Sequence, residues 1–581
     1  MWKPMLPILT SHAPTDRQWL YQIKYDGFRC GLYWDADGVT ILSRNGHDLT
    51  AYFPEITNWC KQHHDLYESN LPLLLDGEIV QLLTSYRCNF SQIQRRSKSK
   101  RNAKNQLQVT FIVFDLLQGG ETNFRNKPFI ERDQALDNLF TKKTGTIYKA
   151  PTFELVEDVK KLVDLHQAEG FVAKKKNAPY KEGKRSDSWL KIKNYRTIQG
   201  IVTKWNSDND YFTISYYADN KLQLLGKCKN GLKNDEKETL QTFIKKNGKK
   251  VNGTTWNVAP SVCLNIDCLD VSNHELREPH FAAFRFDIEP ADCTKDAVQL
   301  GLAQIPECIS VSRLEKLLFP NYSKLEYLCY LRTMAPYMLP WIMDRKLTII
   351  RYPDGVDAPS FYQKHLPDYA PAFLRPMLST DEEAAIYIQN FESLLWFGNH
   401  AGLEFHMPFN KQHHQEPDQI VFDLDPPSLK EFYLAVRAAS LIKEMMENQK
   451  LKPYIKTSGR TGLQIHIPIN NWTYQDTREL MEATANVLIQ AYPDQFTSER
   501  LIKNRGNRLY IDYVQHAEGK TIIAPYSTRA TKQATVATPL FWEEVNETLD
   551  PTSFTIRSVL KRIKDKGCPF FDFYTHFEKQ E

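Results

Sequence analysis

Short strand-like runs broken by loops fill the first 195 residues, and charged residues stand in or near the end of each run. Examples are WLYQIKYDGFRCGLYW, LPLLLDGEIVQLL and VTFIVFDLL. Alternating apolar residues bounded by turn-forming ones are typical of β-strands. From 198 to 287, further alternating segments such as YFTISYYA indicate a small all-β domain. After 309 longer helices mix with strands, so the sequence predicts a multidomain α+β protein.

The length of the chain supports this division. A chain of 581 residues is too long for one hydrophobic core, and several domains are expected. We predict domains at 1–195, 196–290 and 309–581. The segment 291–308 fits neither the strand pattern before it nor the mixed pattern after it, and it is therefore predicted to be a linker.

The lack of a recognisable membrane span or signal peptide and the cysteine usage favour a cytoplasmic location. The sequence has no run of about 18 apolar residues, and its start, MWKPMLPILTSHAP, lacks a charged region followed by a long apolar one. Neither a membrane span nor a signal peptide is expected. Ten cysteines occur without a CxxC pair, which argues against a zinc ribbon and against a secreted fold held by disulfides.

Positive charge is concentrated locally, although the net charge is only +4. Two stretches are basic. The first, 90–108, has no acidic residue, and the second is 174–185. Such a stretch is either a solvated loop or a surface that follows nucleic-acid phosphates, and charge alone does not decide between them. The cations of the first stretch are Arg95, Arg96, Lys98, Lys100, Arg101 and Lys104.

The stretch KYDGFRC around Lys24 interrupts an apolar-alternating strand with an amine, a carboxylate and a guanidinium. A neutral lysine amine attacks phosphorus well, but it must first lose its proton, which nearby cations or burial favour. Lys191 and Lys193, two apart on one strand face, are candidates for that cationic neighbourhood and for holding phosphates. Acids such as Glu78 and Glu169 suit a divalent metal or a ribose hydroxyl, and the aromatic ring of FDLL offers a flat face for a base.

The ordered series KYDG, SRNG, DGE, FDLL, EGFVAKK and WLKIK resembles the motif set of the covalent nucleotidyltransferases. This superfamily comprises ATP-dependent DNA ligases, RNA ligases and mRNA capping enzymes. The resemblance implies that Lys24 takes AMP as a phosphoramidate and that Glu169 holds the metal. The other contacts that it implies are Gln22 near the adenine amino group, Arg29 and Arg44 at the nucleotide or at the 5′-phosphate of a nick, Glu78 at the ribose, Phe114 stacked on adenine, and Lys191 and Lys193 at the phosphates.

The β-rich segment that follows resembles the OB-fold barrel that these ligases carry, and REPHFAAFRFD resembles the last motif of the family. Arg285 and Asp287 match that motif, whereas Ile288 stands where a lysine often follows. Gln22 stands where DNA ligases often have a glutamate. Because a glutamine carbonyl also accepts a hydrogen bond from the adenine amino group, we expect ATP rather than GTP.

A second group of acids lies in the last 273 residues, where DLDPP follows an apolar run. Asp423 and Asp425 are two apart and therefore share one face of a strand. Carboxylates so placed repel each other unless cations lie between them, and two-metal phosphoryl-transfer sites are built in this way. The alternative is a strand end with a turn-forming Asp-Pro. Asp512, at the end of LYIDYVQ, offers a third carboxylate as a neighbouring strand would.

Together with LEFHMPF, KTSGRTGLQIHIPI and GKTIIAPYSTRA, these acids resemble the polymerase domain of the bacterial ligase D family, a fold of the archaeo-eukaryotic-primase type. The resemblance implies an α/β polymerase domain in which Asp423, Asp425 and Asp512 hold the metals. Gln464 stands where the family usually has a histidine, with His466 two residues later. The residues that would face the incoming triphosphate or the metal are His406, Ser458, Arg460 and Arg529.

The two resemblances together imply an ATP-dependent DNA ligase joined to a template-dependent polymerase that fills and seals broken DNA ends in non-homologous end joining. Its cofactors would be ATP and Mg²⁺ or Mn²⁺, with NTPs or dNTPs as substrates. Its partners would be double-stranded DNA ends, nicks and gaps, and the end-binding protein Ku. We expect a cytoplasmic bacterial monomer that associates with the nucleoid when bound to DNA.

Two alternatives remain open from the sequence. One is an RNA-processing nucleotidyltransferase, an RNA ligase or capping-type enzyme, fused to a primase-like domain. The other is a binding scaffold whose catalytic sites have decayed. The intact lysine and carboxylates argue against the scaffold.

Overall fold

The computed structural model describes residues 2–96, 109–141, 145–272, 274–374 and 384–574. The chain divides into two compact units, Met1–Gln304 and Ile305–Glu581. Among the described residues, none of the helices combines the length and the apolar character that crossing a bilayer requires.

The front part of the first unit contains two sheets. One has the order β1-β11-β10-β2-β9, and the other has the order β4-β3-β5-β6-β7 with β8 beside β6. The strands are β1 Leu6–Leu9, β2 Trp19–Ile23, β3 Phe28–Asp35, β4 Gly38–Ser43, β5 Leu73–Gln81, β6 Val109–Gly119, β7 Thr122–Asn123, β8 Ile147–Lys149, β9 Thr152–Phe153, β10 Gly170–Lys175 and β11 Arg185–Lys193. The helices are α1 Pro54–Gln62, α2 His64–Tyr67, α3 Phe90–Arg96, α4 Phe129–Leu139 and α5 Val156–His166.

Apolar residues of both sheets meet in one core. Tyr21 and Ile23 of β2 pack with Val80 of β5, Ile112 of β6 and Phe171 of β10. Because side chains alternate along each strand, the residues between these core positions point to the other faces of the sheets. Polar side chains at the alternate positions, such as Gln22 of β2, therefore point away from this core.

The rest of the first unit is a barrel-like antiparallel sheet of order β14-β13-β12-β16-β15, with β19 beside β16 and a separate β17-β18 hairpin. Its core includes Ile198 and Val202 of β12 and Leu264 of β16. The strands are β12 Arg196–Asn206, β13 Phe212–Ala218, β14 Lys221–Cys228, β15 Lys249–Lys250, β16 Thr255–Cys268, β17 Asp270–Ser272, β18 Glu275–Arg277 and β19 His280–Phe284, and the helices are α6 Asn234–Asn247 and α7 Lys295–Ala303.

The segment predicted to be a linker, 291–308, differs in the structure. Thr294 caps helix α7 by accepting a hydrogen bond from the backbone N–H of Ala297 at 3.1 Å. Val298 of this helix is buried in the barrel core. The helix therefore belongs to the first unit, and the boundary between the units falls between Gln304 and Ile305.

The second unit has a four-stranded sheet, β23-β22-β24-β30, a six-stranded sheet, β28-β29-β25-β27-β26-β31, and a β20-β21 pair. The strands are β20 Leu317–Phe319, β21 Tyr322–Ser323, β22 Thr348–Arg351, β23 Phe361–Gln363, β24 Gly402–Pro408, β25 Gln419–Asp425, β26 Tyr454–Thr457, β27 Leu463–Pro468, β28 Phe496–Thr497, β29 Leu509–Asp512, β30 Thr521–Ile523 and β31 Pro539–Leu540. The helices are α8 Lys324–Ile342, α9 Phe391–Asn399, α10 Phe432–Asn448, α11 Tyr474–Ala491, α12 Ile502–Arg505 and α13 Ile556–Lys566.

The six-stranded sheet buries one face against helices α10 and α11. Phe422 and Leu424 of β25 and Ile465 of β27 pack there with Ala439 of α10 and Met481 of α11. The alternate residues of β25 and β27 point to the opposite face. Burial of one face therefore decides that Asp423 and Asp425 lie together on the other.

Replacing Phe422 by alanine should destabilise the second unit by about 3–5 kcal/mol, because the side chain is fully buried and a cavity would remain. Urea denaturation followed by tryptophan fluorescence measures this. The exposed Tyr433 of α10 supplies the control, since Tyr433→Ala should change the free energy of unfolding by less than about 0.5 kcal/mol. Equal effects of the two substitutions would contradict the assignment of this core.

Candidate functional site

A cavity of about 310 Å³ lies beside Lys24 in the first unit. Lys24 directly follows β2, and its backbone N–H donates to the carbonyl of Gly170 at 2.9 Å, which joins the end of β2 to the start of β10. Eight of the nine residues predicted for this site line the cavity, and they are Gln22, Lys24, Arg29, Arg44, Glu78, Phe114, Lys191 and Lys193.

The ninth predicted residue, Glu169, contacts Lys24 directly. The Lys24 ammonium donates to Glu169 Oε2 at 2.7 Å, and the Glu169 side chain is almost fully buried. Burial alone would lower the pKa of Lys24, but the Glu169 carboxylate outweighs burial and raises it. The expectation that neighbouring cations lower the pKa of Lys24 is therefore wrong for this structure. The pKa of Lys191, in contrast, is lowered, first by partial burial and then by the charges of Lys193 and Lys24.

Arg29 is held in place by a residue that the motif analysis did not single out. Its Nε and Nη2 donate to Asp76 Oδ1 and Oδ2 at 3.1 and 2.7 Å, and Asp76 is fully buried on β5. The Arg29 guanidinium also lies 5.2 Å from the centre of the Phe114 ring. Glu78, which accepts from the N–H of Gly27 at 3.2 Å, has its pKa raised to about 8 by burial.

Gln22 has an unused acceptor. Its amide nitrogen donates to Thr152 Oγ1 at 2.9 Å and to Asp133 Oδ1 at 3.2 Å, which fixes the direction of the amide. Its buried Oε1 has no hydrogen-bond partner among the described residues. A buried acceptor in the wall of a cavity suits a ligand that donates a hydrogen bond, as an amino group does.

Lys174 also lines the cavity, and its ammonium lies in an aromatic enclosure. Its ammonium donates to the carbonyl of Phe114 at 2.7 Å and lies 4.2–4.8 Å from the ring centres of Trp189, Phe129 and Phe114. Burial lowers the pKa of Lys174 to about 7. In the sequence Lys174 begins a basic stretch that was interpreted as a solvated loop or a phosphate-binding surface, and neither interpretation holds for this residue. The sequence did contain a signal that Lys174 lies in a strand, namely the alternation in EGFVAKK, in which Phe171 and Ala173 are buried.

The barrel closes one side of the cavity through the link between β18 and β19. The Glu278 carboxylate contacts the Lys193 ammonium, which also lies 3.8 Å from Glu169 Oε1. Arg277 forms a two-point ion pair with Asp26, two residues after Lys24. The sequence analysis assigned no role to Arg277 or Glu278, because nothing in the spacing of residues predicts this contact.

Two further predictions for the first unit can be placed. Arg285 and Asp287, which match the last family motif, pair with each other at 2.7–2.8 Å on the surface and do not line the Lys24 cavity. Arg96 is buried and donates to Glu55 at 2.7 Å, so it does not belong to a phosphate-binding surface. Four of the other cations of this basic stretch lie outside the described residues, and they are Lys98, Lys100, Arg101 and Lys104.

The second candidate site lies at the ends of β25 and β29. These strands are antiparallel, and Asp423 is directly opposite Asp512. Burial and the mutual repulsion of the carboxylates raise the pKa of Asp423 and of Asp425. Asp512 Oδ1 accepts from the N–H groups of Val514 and Gln515 at 3.0 and 2.8 Å, so one of its oxygens is engaged in a turn.

The three carboxylates fit a hard divalent cation by their chemistry. Mg²⁺ and Mn²⁺ prefer oxygen ligands, and a cation would relieve the repulsion that raises the two pKa values. Within the described ranges, however, no three His, Cys, Asp or Glu side chains already lie close enough together to hold a metal ion. A cation shared by the three carboxylates therefore requires side chains to move, and Asp512 is one that is held in a turn.

The predicted triphosphate residues converge on Glu404, which the sequence analysis did not single out. His406 Nε2 lies 3.1 Å, Arg529 Nε 3.3 Å and Arg460 Nη2 3.6 Å from its carboxylate oxygens, and the N–H of Ala530 donates to it at 2.9 Å. Burial would raise the pKa of Glu404, but these groups outweigh burial and lower it to about 2. Glu404 thus gathers three basic side chains on one buried carboxylate.

Ser458 organises the loop between β26 and β27. Its Oγ accepts from the N–H groups of Gly462 at 3.1 Å and Arg460 at 3.3 Å. Gly459 has φ +74°, and a Cβ there would lie 2.6 Å from Cγ of Arg529. Glycine is therefore required both by the backbone conformation and by the close approach of Arg529.

Gln464 and His466 have different surroundings although both lie on β27. Gln464 Nε2 donates to Asp423 Oδ1 at 3.1 Å, and Gln464 Oε1 accepts from the ammonium of the fully buried Lys456. Burial lowers the pKa of Lys456 to about 7. His466 is fully buried, and its Nδ1 is 2.8 Å from Gln419 Oε1. His466 is therefore a core residue and does not replace the histidine that the family usually has at position 464.

Comparisons with known proteins match the two halves of the chain to two different domain families. A family described as "ATP dependent DNA ligase domain" matches residues 6–193, and one described as "LigD, primase-polymerase domain" matches residues 323–570. These matches give no support to the RNA-processing alternative.

Two curated relatives cover nearly the whole chain. The chain is 37% identical to the bifunctional non-homologous end joining protein LigD of Bacillus subtilis over 98% of this chain and 96% of the relative. It is 22% identical to the multifunctional non-homologous end joining protein LigD of Pseudomonas aeruginosa, over 97% of this chain and 71% of the relative. Among solved structures, the polymerase domain of Mycobacterium tuberculosis ligase D in complex with DNA matches at 27% identity, with a TM-score of 0.42, over 45% of this chain and 96% of that one.

Both domains and their order therefore agree with the full-length B. subtilis relative. The first unit contains the ATP-dependent DNA ligase domain, and the second contains the primase-polymerase domain. The chain belongs to the LigD family of bifunctional non-homologous end joining proteins, which combine an ATP-dependent DNA ligase with a polymerase.

Proposed function

We propose that the side chains around Lys24 carry out the ligase reaction and that the carboxylates of β25 and β29 carry out nucleotide addition. The observation that carries the first assignment is the convergence of eight motif residues on one cavity, with the ninth in contact with Lys24. These residues come from six separate segments of the sequence. A structural role alone does not require amines, carboxylates and an aromatic ring to face one cavity.

In the first reaction, Lys24 Nζ attacks the α-phosphorus of ATP. A P–N bond forms, the bond to the β-phosphate oxygen breaks, and pyrophosphate leaves. AMP is then transferred to the 5′-phosphate of a broken strand, and the 3′-hydroxyl displaces AMP as the phosphodiester bond forms. Because a protonated amine has no lone pair, the ion pair with Glu169 must open before Lys24 can attack.

The cavity residues have separate tasks in this reaction. The unused Oε1 of Gln22 accepts a hydrogen bond from the adenine amino group, and Phe114, with Arg29 against its ring, stacks on the base. Glu78 binds the ribose. Arg29 and Arg44 contact the nucleotide or the 5′-phosphate of a nick, and Lys191 and Lys193 hold phosphate oxygens. A divalent cation held by Glu169 would supply positive charge at the phosphates and would compete with Lys24 for the carboxylate.

For nucleotide addition, Asp423, Asp425 and a reoriented Asp512 would hold Mg²⁺ or Mn²⁺, which would supply positive charge where the phosphates react. His406, Arg460 and Arg529 bind the phosphates of the incoming nucleotide, and Ser458 holds the loop that carries Arg460. To bind the triphosphate, these cations must give up their contacts with the Glu404 carboxylate. The polymerase accepts NTPs and dNTPs, with ribonucleotides favoured.

The wider setting that we propose is the repair of double-strand breaks. The protein acts as a monomer in the cytoplasm of a bacterium and joins the nucleoid when bound to DNA ends, nicks or gaps. Ku is the proposed partner at the end. The proposed domains are the adenylation domain at 1–195, the OB-fold domain from 196, now extended through α7, and the polymerase domain from about 309.

Lys24→Ala should abolish sealing of nicked duplexes, by more than about a thousandfold, because the covalent nucleophile is lost. Nucleotide addition to a gapped duplex should be unchanged. The variant with both Asp423→Ala and Asp425→Ala should show the reverse. Denaturing gels of the two reactions, with mass spectrometry for AMP on the Lys24 peptide, provide the measurement. Loss of both activities in either folded variant would contradict two independent sites.

Glu278→Gln should lower the ATP concentration needed for half-maximal adenylylation about twofold to fivefold, or roughly 0.5–1 kcal/mol, because Lys193 loses a competing carboxylate that is partly exposed to solvent. Glu275→Gln, an exposed acid on the same hairpin, is the matched control and should behave as wild type. Radiolabelled ATP titrations measure both. A weaker affinity for ATP in Glu278→Gln would mean that Glu278 supports the nucleotide site instead of competing in it.

A further inference from the structure

Four polar side chains form a row across neighbouring strands of the second unit. Lys456 on β26 is directly opposite Gln464 on β27. Gln464 is opposite Asp423 on β25, and Asp423 is opposite Asp512 on β29. Residues that are opposite one another in a sheet point to the same face, so this register places a buried cation two strands away from Asp423.

The contacts in this row fix the orientation of an amide. Gln464 Oε1 accepts from the Lys456 ammonium, and Gln464 Nε2 donates to Asp423 Oδ1 at 3.1 Å. If the amide flipped, its NH₂ group would face the ammonium and its carbonyl would face the carboxylate. Both contacts would then be repulsive, so the charge of Lys456 selects one of two amide orientations that have almost the same shape.

Lys456 is unsuited to a direct role in binding the triphosphate. Its side chain is fully buried, and its other acceptor is the carbonyl of Thr457 at 3.4 Å. Burying an ammonium costs several kcal/mol unless it is well paired, and a neutral side chain of similar length would avoid that cost. We therefore expect the charge of Lys456 to act on a neighbouring group, and its contact with Gln464 Oε1 identifies that group.

We propose that Lys456 and Gln464 are positioning residues of the polymerase centre. Lys456 locks the amide of Gln464, and Gln464 holds Oδ1 of Asp423, which leaves Oδ2 for a divalent cation shared with Asp425. This inference rests on the proposed metal role of Asp423. It accounts for glutamine at position 464, because glutamine can accept from Lys456 with one atom and donate to Asp423 with the other.

Direct binding of Mn²⁺ to the full-length chain, measured by electron paramagnetic resonance without nucleotide, tests the proposal. Lys456→Met should raise the dissociation constant for Mn²⁺ about tenfold or more, as is typical when a partner behind a metal ligand is lost. Methionine has a similar length and no charge to desolvate. Lys443→Met, which removes a partly exposed lysine of α10, is the control and should leave binding unchanged.

A double-mutant cycle separates positioning from a general structural effect. If Lys456 acts only through the amide, Lys456→Met should have no further effect on Mn²⁺ binding in a Gln464→Leu background. Additive effects would overturn the proposal. Nucleotide addition by Lys456→Met should need more Mn²⁺ for half-maximal rate, but at saturating Mn²⁺ the KM for NTP should stay within about twofold of wild type. Adenylylation of Lys24 in the same preparations reports that the first unit is folded, and urea denaturation reports whether the second unit is.

A baseline variant distinguishes failure of this inference from failure of the proposed function. The chain with both Asp423→Asn and Asp425→Asn should lose the Mn²⁺ site. If it binds Mn²⁺ as wild type does, the metal role of these carboxylates is wrong. If it loses the site while Lys456→Met binds normally, the metal role stands and the positioning role of Lys456 is overturned.

Discussion

Strand register is the constraint on which both sites depend. In β25 the burial of Phe422 and Leu424 against α10 and α11 leaves Asp423 and Asp425 together on the opposite face. A shift of one residue would reverse the two sets, and the apolar core would be lost together with the site. The free energy of core burial thus holds two like charges close together, at a separation that their repulsion would otherwise oppose.

Both sites keep their cations paired with carboxylates, which are buried except for the partly exposed Glu278. Lys24 is paired with Glu169, and Lys193 contacts Glu278. In the second unit Glu404 gathers His406 and Arg529. A partially desolvated charge is costly without a partner, so removing one member of such a pair would leave the other uncompensated. In the proposed reactions a phosphate would have to replace an internal carboxylate, and the cost of that exchange would set part of the affinity.

The barrel of the first unit contributes to the ligase cavity as well as following it in the sequence. Arg277 pairs with Asp26, and Glu278 contacts Lys193, so the link between β18 and β19 reaches both sides of Lys24. Arg285 and Asp287, whose residue types match a family motif, pair on the surface. The stretch REPHFAAFRFD thus reaches the cavity through its first two residues, Arg277 and Glu278, and not through Arg285 and Asp287 near its end.

The sequence by itself determined the α+β class, the motif residues of the ligase cavity and the paired aspartates of β25, because these depend on local periodicity and on the order of short motifs. It also singled out Lys24, which lines that cavity, and its role as the nucleophile stays a prediction. The direction in which the pKa of Lys24 is shifted could not be derived from it, because the shift depends on which of several charges lies nearest. The helix at 295–303 was not predicted because its apolar face is narrow. Its burial depends on contact with the barrel, which the sequence does not show.

Only the tertiary structure decided which partners the site residues have. Asp76, Lys174, Glu278 and Lys456 contact groups on other segments of the chain, and no spacing rule connects them. Glu404 shares β24 with His406, but Arg460 and Arg529 reach it from other segments. Their positions follow from strand pairing and sheet packing. Both involve residues distant in sequence and are determined by burial of the core. Local pattern therefore identified the candidate residues, whereas the packing of distant segments set their partners, the direction of their pKa shifts and their orientation.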